Sequence, residues 1–458
     1  MKPEKISRFI FMGDSLSDRG TLAKRYLLGF IPMDLFSGLR NRSPLGRFTN
    51  GLAWSDHIAA TLMNKFIIND AHQKGLLDSC DIADAVINDD QRIRKLRKFS
   101  YFLDNDLYIK YKGRDFARNY SEGGLSAHDY GWLPSTNFTR FVERIILSNL
   151  DEMRAKLIAY DKENKISKAY KAETLIIEWS GGNDLITMNE HPSFSEVDKA
   201  IAARRNNIEQ LVNMDYRHFI LINLPDLSLT PRYQALDAKQ RENAHRCSVY
   251  FNARLEKMVT DLRILHPWCS FAIFDVDTIF TNVYDTPELY GFEKEKRNAP
   301  YVTSVDFILK PNGTSPASGY MFWDDIHPSA DLQGLIGHYF YHEFNPVYNF
   351  STPDPHSAPL TAINISDEEL CASFMKKYKE KFNRSNQFFS AKRESEATLK
   401  KLNLMDILFY ALKEPDSQIR QIVNELGWLD EKGEPRLNIP VLEDYVASIK
   451  QGMKAVMI

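Results

Sequence analysis

Phe9-Ile-Phe-Met-Gly-Asp-Ser-Leu-Ser-Asp18 is the stretch on which the reading of this chain turns. Its apolar half, residues 9–12, has the length and composition of a buried strand. Gly13 ends the run, and Asp14 and Ser15 follow at once. Polar residues at the carboxyl end of a buried strand are where open α/β sheets hold ligands. A helix beginning near Ser17 would aim its backbone N–H groups and positive dipole end at that spot. Ser15 then stands where a nucleophile can be exposed and the oxyanion it creates can be held. Taken alone, the stretch is better read as a helix cap, because Ser and Asp are the usual N-cap residues. The rest of the chain overturns that reading.

Four more strand-like runs follow, at 115–120, 174–179, 218–224 and 270–275. Helical patterns stand between them at 53–63, 138–158, 197–214 and 235–262, and another runs from Asp331. Strands alternating with helices imply a parallel sheet covered on both faces, with right-handed crossovers. The expected fold class is α/β: a three-layer α/β/α sandwich on a five-stranded parallel sheet. Residues 1–345 form this domain, with a polar, charged insertion at about 65–112. The run of Arg92, Arg94, Lys95, Arg97 and Lys98 inside it reads as a solvated face. Residues 346–365 are rich in Pro and Ser and read as a linker. Residues 366–458 read as a helical C-terminal region opened by a capping box, Ser366-Asp-Glu-Glu369, with a break at 428–433.

The formal net charge of −3 makes no electrostatic case for nucleic acid as a partner. Cys80, Cys247, Cys269 and Cys371 are scattered, which excludes a CxxC zinc signature and suits reduced thiols. No run approaches the roughly 18 apolar residues of a membrane span, and the N-terminus lacks the features of a secretory signal. Gly-x-x-x-x-Gly-Lys is missing, which argues against an NTPase.

Three polar turns follow three strands: Gly13-Asp-Ser15, Glu122-Gly-Gly124 and Gly181-Gly-Asn-Asp184. In a parallel sheet all three lie at one edge. Acyl transfer needs a nucleophile, a base, an orienting acid and oxyanion donors. Ser15 supplies the nucleophile and one N–H. Gly124 can bring its N–H close to a ligand, and Asn183 offers an amide N–H. The base comes late, in Phe322-Trp-Asp-Asp-Ile-His-Pro-Ser329. Asp324 and His327 are three apart, so one turn lets the carboxylate meet the imidazole. Asp325 competes as the orienter, and Pro328 suits a first helical position. Each turn alone is as well explained by capping; the ordered set is not.

In this order the blocks resemble the GDSL lipases, also called SGNH hydrolases. Gly13-Asp-Ser-Leu16 matches the first block and Asn119-Tyr-Ser-Glu-Gly-Gly124 resembles the second. Gly181-Gly-Asn-Asp184 matches the third and Trp323-Asp-Asp-Ile-His-Pro328 the last. Gly46-Arg-Phe-Thr-Asn-Gly51 and Asn223-Leu-Pro-Asp226 look like secondary motifs of the longer phospholipase and glycerophospholipid:cholesterol acyltransferase branch. The resemblance covers about residues 5–345. It implies a triad of Ser15, Asp324 and His327, and an oxyanion hole of Ser15, Gly124 and Asn183. Glu122 departs from a position that is usually small or apolar.

The expected activity is lipid ester hydrolysis through an acyl-enzyme, of the phospholipase A or lysophospholipase kind, with acyl transfer to a sterol as a second outcome. It needs no metal and no cofactor. The expected partner is a phospholipid or lysophospholipid, whose acyl chain Tyr26, Leu27, Leu28, Phe30, Ile31 and Phe36 would line. The alternatives are a small-ester or carbohydrate acetyl esterase of the same fold, and a catalytically idle lipid-binding module. A zinc hydrolase is a weaker rival: His338 and His342 have the i, i+4 spacing, but no Glu follows His338. In residues 366–458 basic side chains, Lys376 to Arg393, alternate with Phe374, Tyr378, Phe382, Phe388 and Phe389. That pattern suits contact with anionic lipid, and equally a packed helical cap. The chain is expected in the cytoplasm or exported by a specialised secretion system, peripheral at membranes.

Overall fold

The computed structural model describes residues 3–27, 31–73, 107–111, 114–131, 144, 146–189, 191–310 and 315–353. The Arg92–Lys98 run, Cys80, Cys371, Leu28, Phe30 and the whole 366–458 region lie outside them.

Ten strands appear in chain order among the described residues: β1 (Glu4–Ile6), β2 (Arg8–Gly13), β3 (Tyr26–Leu27), β4 (Ile31–Pro32), β5 (Tyr108–Tyr111), β6 (Arg114–Asn119), β7 (Thr174–Trp179), β8 (His218–Ile222), β9 (Ser270–Phe274) and β10 (Tyr348–Phe350). The main sheet has six strands in the order β5-β6-β2-β7-β8-β9. β6, β2, β7, β8 and β9 pair in parallel and are the five strands expected. β5 adds an antiparallel edge strand from within the range read as an insertion. β1 pairs with β10 in a separate two-stranded ribbon, so the range read as a linker opens with a strand. β3 and β4 form a short antiparallel pair.

The helices are α1 (Thr21–Lys24), α2 (Met33–Phe36), α3 (Trp54–Gln73), α4 (Leu150–Glu163), α5 (Lys168–Ala172), α6 (Gly182–Ile186), α7 (Phe194–Asn213), α8 (Pro231–Gln234), α9 (Ala238–Leu265), α10 (Val276–Asp285) and α11 (Ala330–Phe344). Side chains of β2 alternate between the two faces of the sheet. Phe9 and Phe11 join a core with α3, α10 and α11, whereas Ile10 and Met12 join another with α4, α7 and α9. Leu175 and Ile177 against Ile176, and Ile220 and Ile222 against Phe219 and Leu221, repeat the alternation. A strand covered on both faces must be apolar throughout, and each such side chain contributes roughly 1.5–3 kcal/mol by leaving water. The result is the three-layer sandwich.

Four helix boundaries differ from the sequence reading. No helix starts at Ser17. Residues 14–17 form a tight turn in which Ser17 N–H donates to the Asp14 carbonyl at 3.1 Å. α1 begins only at Thr21, because the Asp18 carboxylate gathers the N–H groups of Gly20, Thr21 and Leu22. The helix read over 138–158 is interrupted at Ser148-Asn149, which pairs with Ser126. Asn149 then caps α4, accepting Glu152 N–H at 3.1 Å. Pro328 is not the first residue of α11: it bridges to Phe322, and the helix starts at Ala330. α3 runs ten residues past the expected end at Met63, to Gln73.

Candidate active site

β2, β6 and β7 deliver the three polar turns to one edge of the sheet, as parallel register requires. β2 ends at Gly13, where a Cβ would stand 2.3 Å from the Trp179 carbonyl oxygen. Only glycine lets the two strand ends close so tightly, and the next residues turn out of the sheet. Ser15, 8% exposed, is reached from the far end of the chain. His327 Nε2 lies 2.6 Å from Ser15 Oγ, and His327 Nδ1 lies 2.7 Å from Asp324 Oδ2.

His327 is held by its own turn. Asp324 Oδ1 accepts the N–H groups of Ile326 at 2.9 Å and His327 at 2.6 Å. Burial opposes ionisation of Asp324, but the His327 charge and these hydrogen bonds outweigh it and hold the carboxyl below its usual value. Asp325 points elsewhere: its carboxylate takes a two-pronged contact from Arg232 at 2.7 and 3.2 Å, and its carbonyl takes Arg232 N–H at 2.9 Å. Of the two candidate orienters, only Asp324 meets the imidazole.

The second and third turns converge on the same edge. Asn183 Nδ2 donates to the Leu125 carbonyl at 3.0 Å, and Asn183 Oδ1 accepts Thr187 Oγ1 at 2.7 Å, which fixes the amide. One Nδ2 hydrogen is left over. Gly124 has φ 78°, a left-handed backbone that suits glycine. Among the described residues no acceptor meets the N–H of Ser15 or of Gly124. Gly123 N–H, by contrast, is tied to Asp18 Oδ2 at 2.8 Å.

Several supporting residues escaped the sequence reading. Asp18 both caps α1 and holds Gly123, and burial pushes its carboxyl up to about 6 against those hydrogen bonds. Asp184, which closes the third block and has no role of its own in the sequence reading, takes the N–H groups of Ala127 at 2.7 Å and His128 at 2.9 Å, so it joins the third turn to the second. Burial pushes it up to about 7. The Gly46–Gly51 motif is a brace. Arg47 and Arg19 share the buried carboxylate of Asp56 at 2.9 and 2.6 Å. Asn50 accepts Ala330 N–H at 2.8 Å, which fixes the start of α11 just after His327. Phe48 packs on the His327 ring with centroids 4.8 Å apart. Glu122 is buried and paired with Arg25, with Lys156 Nζ at 3.7 Å. The one available signal was the motif itself; the partners lie too far along the chain to be paired by inspection.

Among the described residues no group of three or more His, Cys, Asp or Glu is placed to hold a metal ion. His338 and His342 lie on α11 with ring centroids 4.3 Å apart. No described helix is long and apolar enough to cross a membrane. Cys247 and Cys269 are free thiols.

A serine, an imidazole and a carboxylate in hydrogen-bonded series at the carboxyl edge of a parallel sheet is the arrangement found in serine hydrolases of α/β architecture. The particular family is shown by a match of residues 9–340 to the GDSL-like lipase/acylhydrolase model, and the chain belongs to that family of ester hydrolases. It is 26% identical over 356 residues to an anther-specific proline-rich protein APG of Brassica napus, covering 72% of this chain and 70% of that protein. It is 24% identical to a phosphatidylcholine-sterol acyltransferase of Aeromonas hydrophila, over 72% of this chain and 88% of the other. The secreted effector protein SseJ of Salmonella typhimurium is 21% identical, over 74% and 67% of the respective chains.

Proposed function

We propose that the protein is a serine acylhydrolase of glycerophospholipid or lysophospholipid esters that works through an acyl-enzyme. The observation that carries this reading is the unbroken series Ser15 Oγ, His327 Nε2, His327 Nδ1 and Asp324 Oδ2, at 2.6 and 2.7 Å. His327 takes the hydroxyl proton as Ser15 Oγ bonds to the ester carbonyl carbon. Asp324 fixes the ring and stabilises the imidazolium. The carbonyl oxygen becomes an oxyanion, held by the N–H groups of Ser15 and Gly124 and by the Asn183 amide. Collapse breaks the ester bond, and His327 returns the proton to the leaving alcohol. Water then enters by the same route and releases the fatty acid.

The lipid substrate rests on the chain's likeness to a phosphatidylcholine-sterol acyltransferase and on the block order of that branch. An acyl groove must be apolar with polar groups only at the ester. Tyr26, beside the first block, offers a side chain 57% exposed. Water and an alcohol compete for one acyl-enzyme, so sterol transfer is a second outcome of the same chemistry. The test offers phospholipid, lysophospholipid and cholesterol together and separates the products. Free fatty acid from the two phospholipids is expected, with a smaller yield of sterol ester. Activity confined to acetyl esters, with none on long-chain lipids, would move the assignment to a small-ester or carbohydrate acetyl esterase.

A further inference from the structure

Phe48 belongs to a motif that the triad does not use, yet its ring touches both halves of the catalytic apparatus. One contact is the His327 imidazole, with ring centroids 4.8 Å apart and planes at 37°. The other is the oxyanion turn. A Cβ placed on Gly123 would stand 2.2 Å from Phe48 Cε2 and 2.5 Å from Cζ. No side chain fits there, so the glycine backbone lies directly against the edge of the ring. Phe48 itself is 7% exposed and packed with Leu22, Trp323 and Tyr301. Its chain neighbours are anchored by their side chains on both sides: Arg47 donates to Asp56 at 2.9 Å and Asn50 accepts Ala330 N–H at 2.8 Å. The ring therefore has little freedom to move away from either neighbour.

We infer that Phe48 is a positioning residue that sets the imidazole against Ser15, spaces it from the Gly123-Gly124 turn, and favours the imidazolium formed during acyl transfer through its aromatic face. The inference rests on the serine acylhydrolase reading above. The geometry gives it two separable parts. The first is steric: a ring wedged between His327 and Gly123 keeps the base and the oxyanion donors at a constant gap, and small misplacements of reacting groups are costly in rate. The second is electrostatic. A cation within about 6 Å of an aromatic centroid is attracted to the negative face of the ring. As the general base, His327 takes on positive charge as Ser15 gives up its proton. An attraction that appears only then stabilises the transition state and leaves ground-state binding alone. The effect belongs in kcat and not in KM.

Phe48→Leu keeps most of the volume and removes the aromatic face. With a soluble short-chain ester its kcat should fall by about 3- to 10-fold while KM stays within about twofold. The electrostatic part is isolated by 2,6-difluorophenylalanine at position 48. That replacement withdraws charge from the ring face and leaves the Cε2–Cζ edge against Gly123 unaltered. Its kcat should fall between those of the unaltered protein and Phe48→Leu. Thermal melting of each variant checks folding, and Ser15→Ala run beside them checks the parent reading. If Ser15→Ala is inactive but Phe48→Leu and the fluorinated protein keep full kcat, the ring is packing only and the inference is overturned. A loss confined to KM overturns it as well. If Ser15→Ala stays active, the serine mechanism itself fails, which is a different result.

Discussion

On the proposed acyl-enzyme mechanism Ser15, His327 and Asp324 act as a series, so single losses are not shared out among them. Ser15→Ala and His327→Ala should each abolish ester turnover while leaving the melting temperature within a few degrees, since neither side chain builds the core. Near-full esterase activity in Ser15→Ala would refute the mechanism. Asn183→Ala should cost about 10²–10³ in kcat, the usual effect of losing one oxyanion donor. Asp14, next to the nucleophile, has a different consequence. Burial pushes its carboxyl from 3.8 up to about 7, against the pull of Leu16 N–H and the His327 charge. Between those two pH values the folded chain keeps a proton that the unfolded chain has released. Stability therefore falls as pH rises through that window. Asp14→Asn removes the charge and with it this pH dependence. Its melting-temperature advantage over the unaltered protein should be small near pH 4 and larger, by roughly a few degrees, at pH 8. An advantage independent of pH would show that the Asp14 carboxyl does not titrate in this range.

The turn at 322–329, which carries the proposed base, is held both by its own hydrogen bonds and by its neighbours. Trp323 N–H donates to the His327 carbonyl at 2.8 Å, and Tyr301 and Val302 donate to Phe322 and Trp323 at 3.1 and 2.7 Å. Arg232 adds its fork to Asp325 at 2.7 and 3.2 Å. That pair is 38% and 47% exposed, so water screens it and its loss should cost no more than about 1 kcal/mol in stability. The turn carries both Asp324 and His327, however, so loosening it should cost more in rate. Arg232→Gln should lower kcat by about tenfold with little change in thermal melting. A kcat loss matched by an equal loss of stability would point to general unfolding instead. What was legible beforehand follows the same division. The parallel strands could be read because a strand buried on both faces is a continuous apolar run bounded by turns, as 9–12 and 174–179 are. β5 could not: as an edge strand it buries only Ile109 and Tyr111 and looks like part of a polar insertion. The helix expected at Ser17 failed because Asp18 claims the N–H groups further on, a competition that hydropathy does not register. Asp324 and His327 were legible because they are three residues apart. Phe48, Asp18 and Arg232 were not, because the residues they brace lie 279, 105 and 93 positions away.

At the scale of the whole chain, the four blocks and the segment proposed for lipid contact are separate. The family match ends at residue 340, and Ser15, Asp324 and His327 all lie inside it. Residues 366–458 hold no part of the four blocks, yet Lys376, Lys377, Lys379 and Lys381 stand among Phe374, Tyr378 and Phe382. Basic side chains near an anionic membrane each gain about 1 kcal/mol, and aromatic rings settle at the interface. Reversing these four lysines to glutamate in the full chain should weaken binding to phosphatidylserine-containing vesicles by at least about tenfold at moderate salt. Turnover of a soluble ester should not change, because that substrate needs the triad and no membrane. Activity on vesicle phospholipid should fall in parallel with binding. A packed helical cap makes the opposite forecast: the charge reversals would lower the melting temperature and leave vesicle binding alone. Equal binding of the unaltered protein to neutral and anionic vesicles would remove the lipid role of this segment, while the hydrolase reading of residues 9–340 would stand.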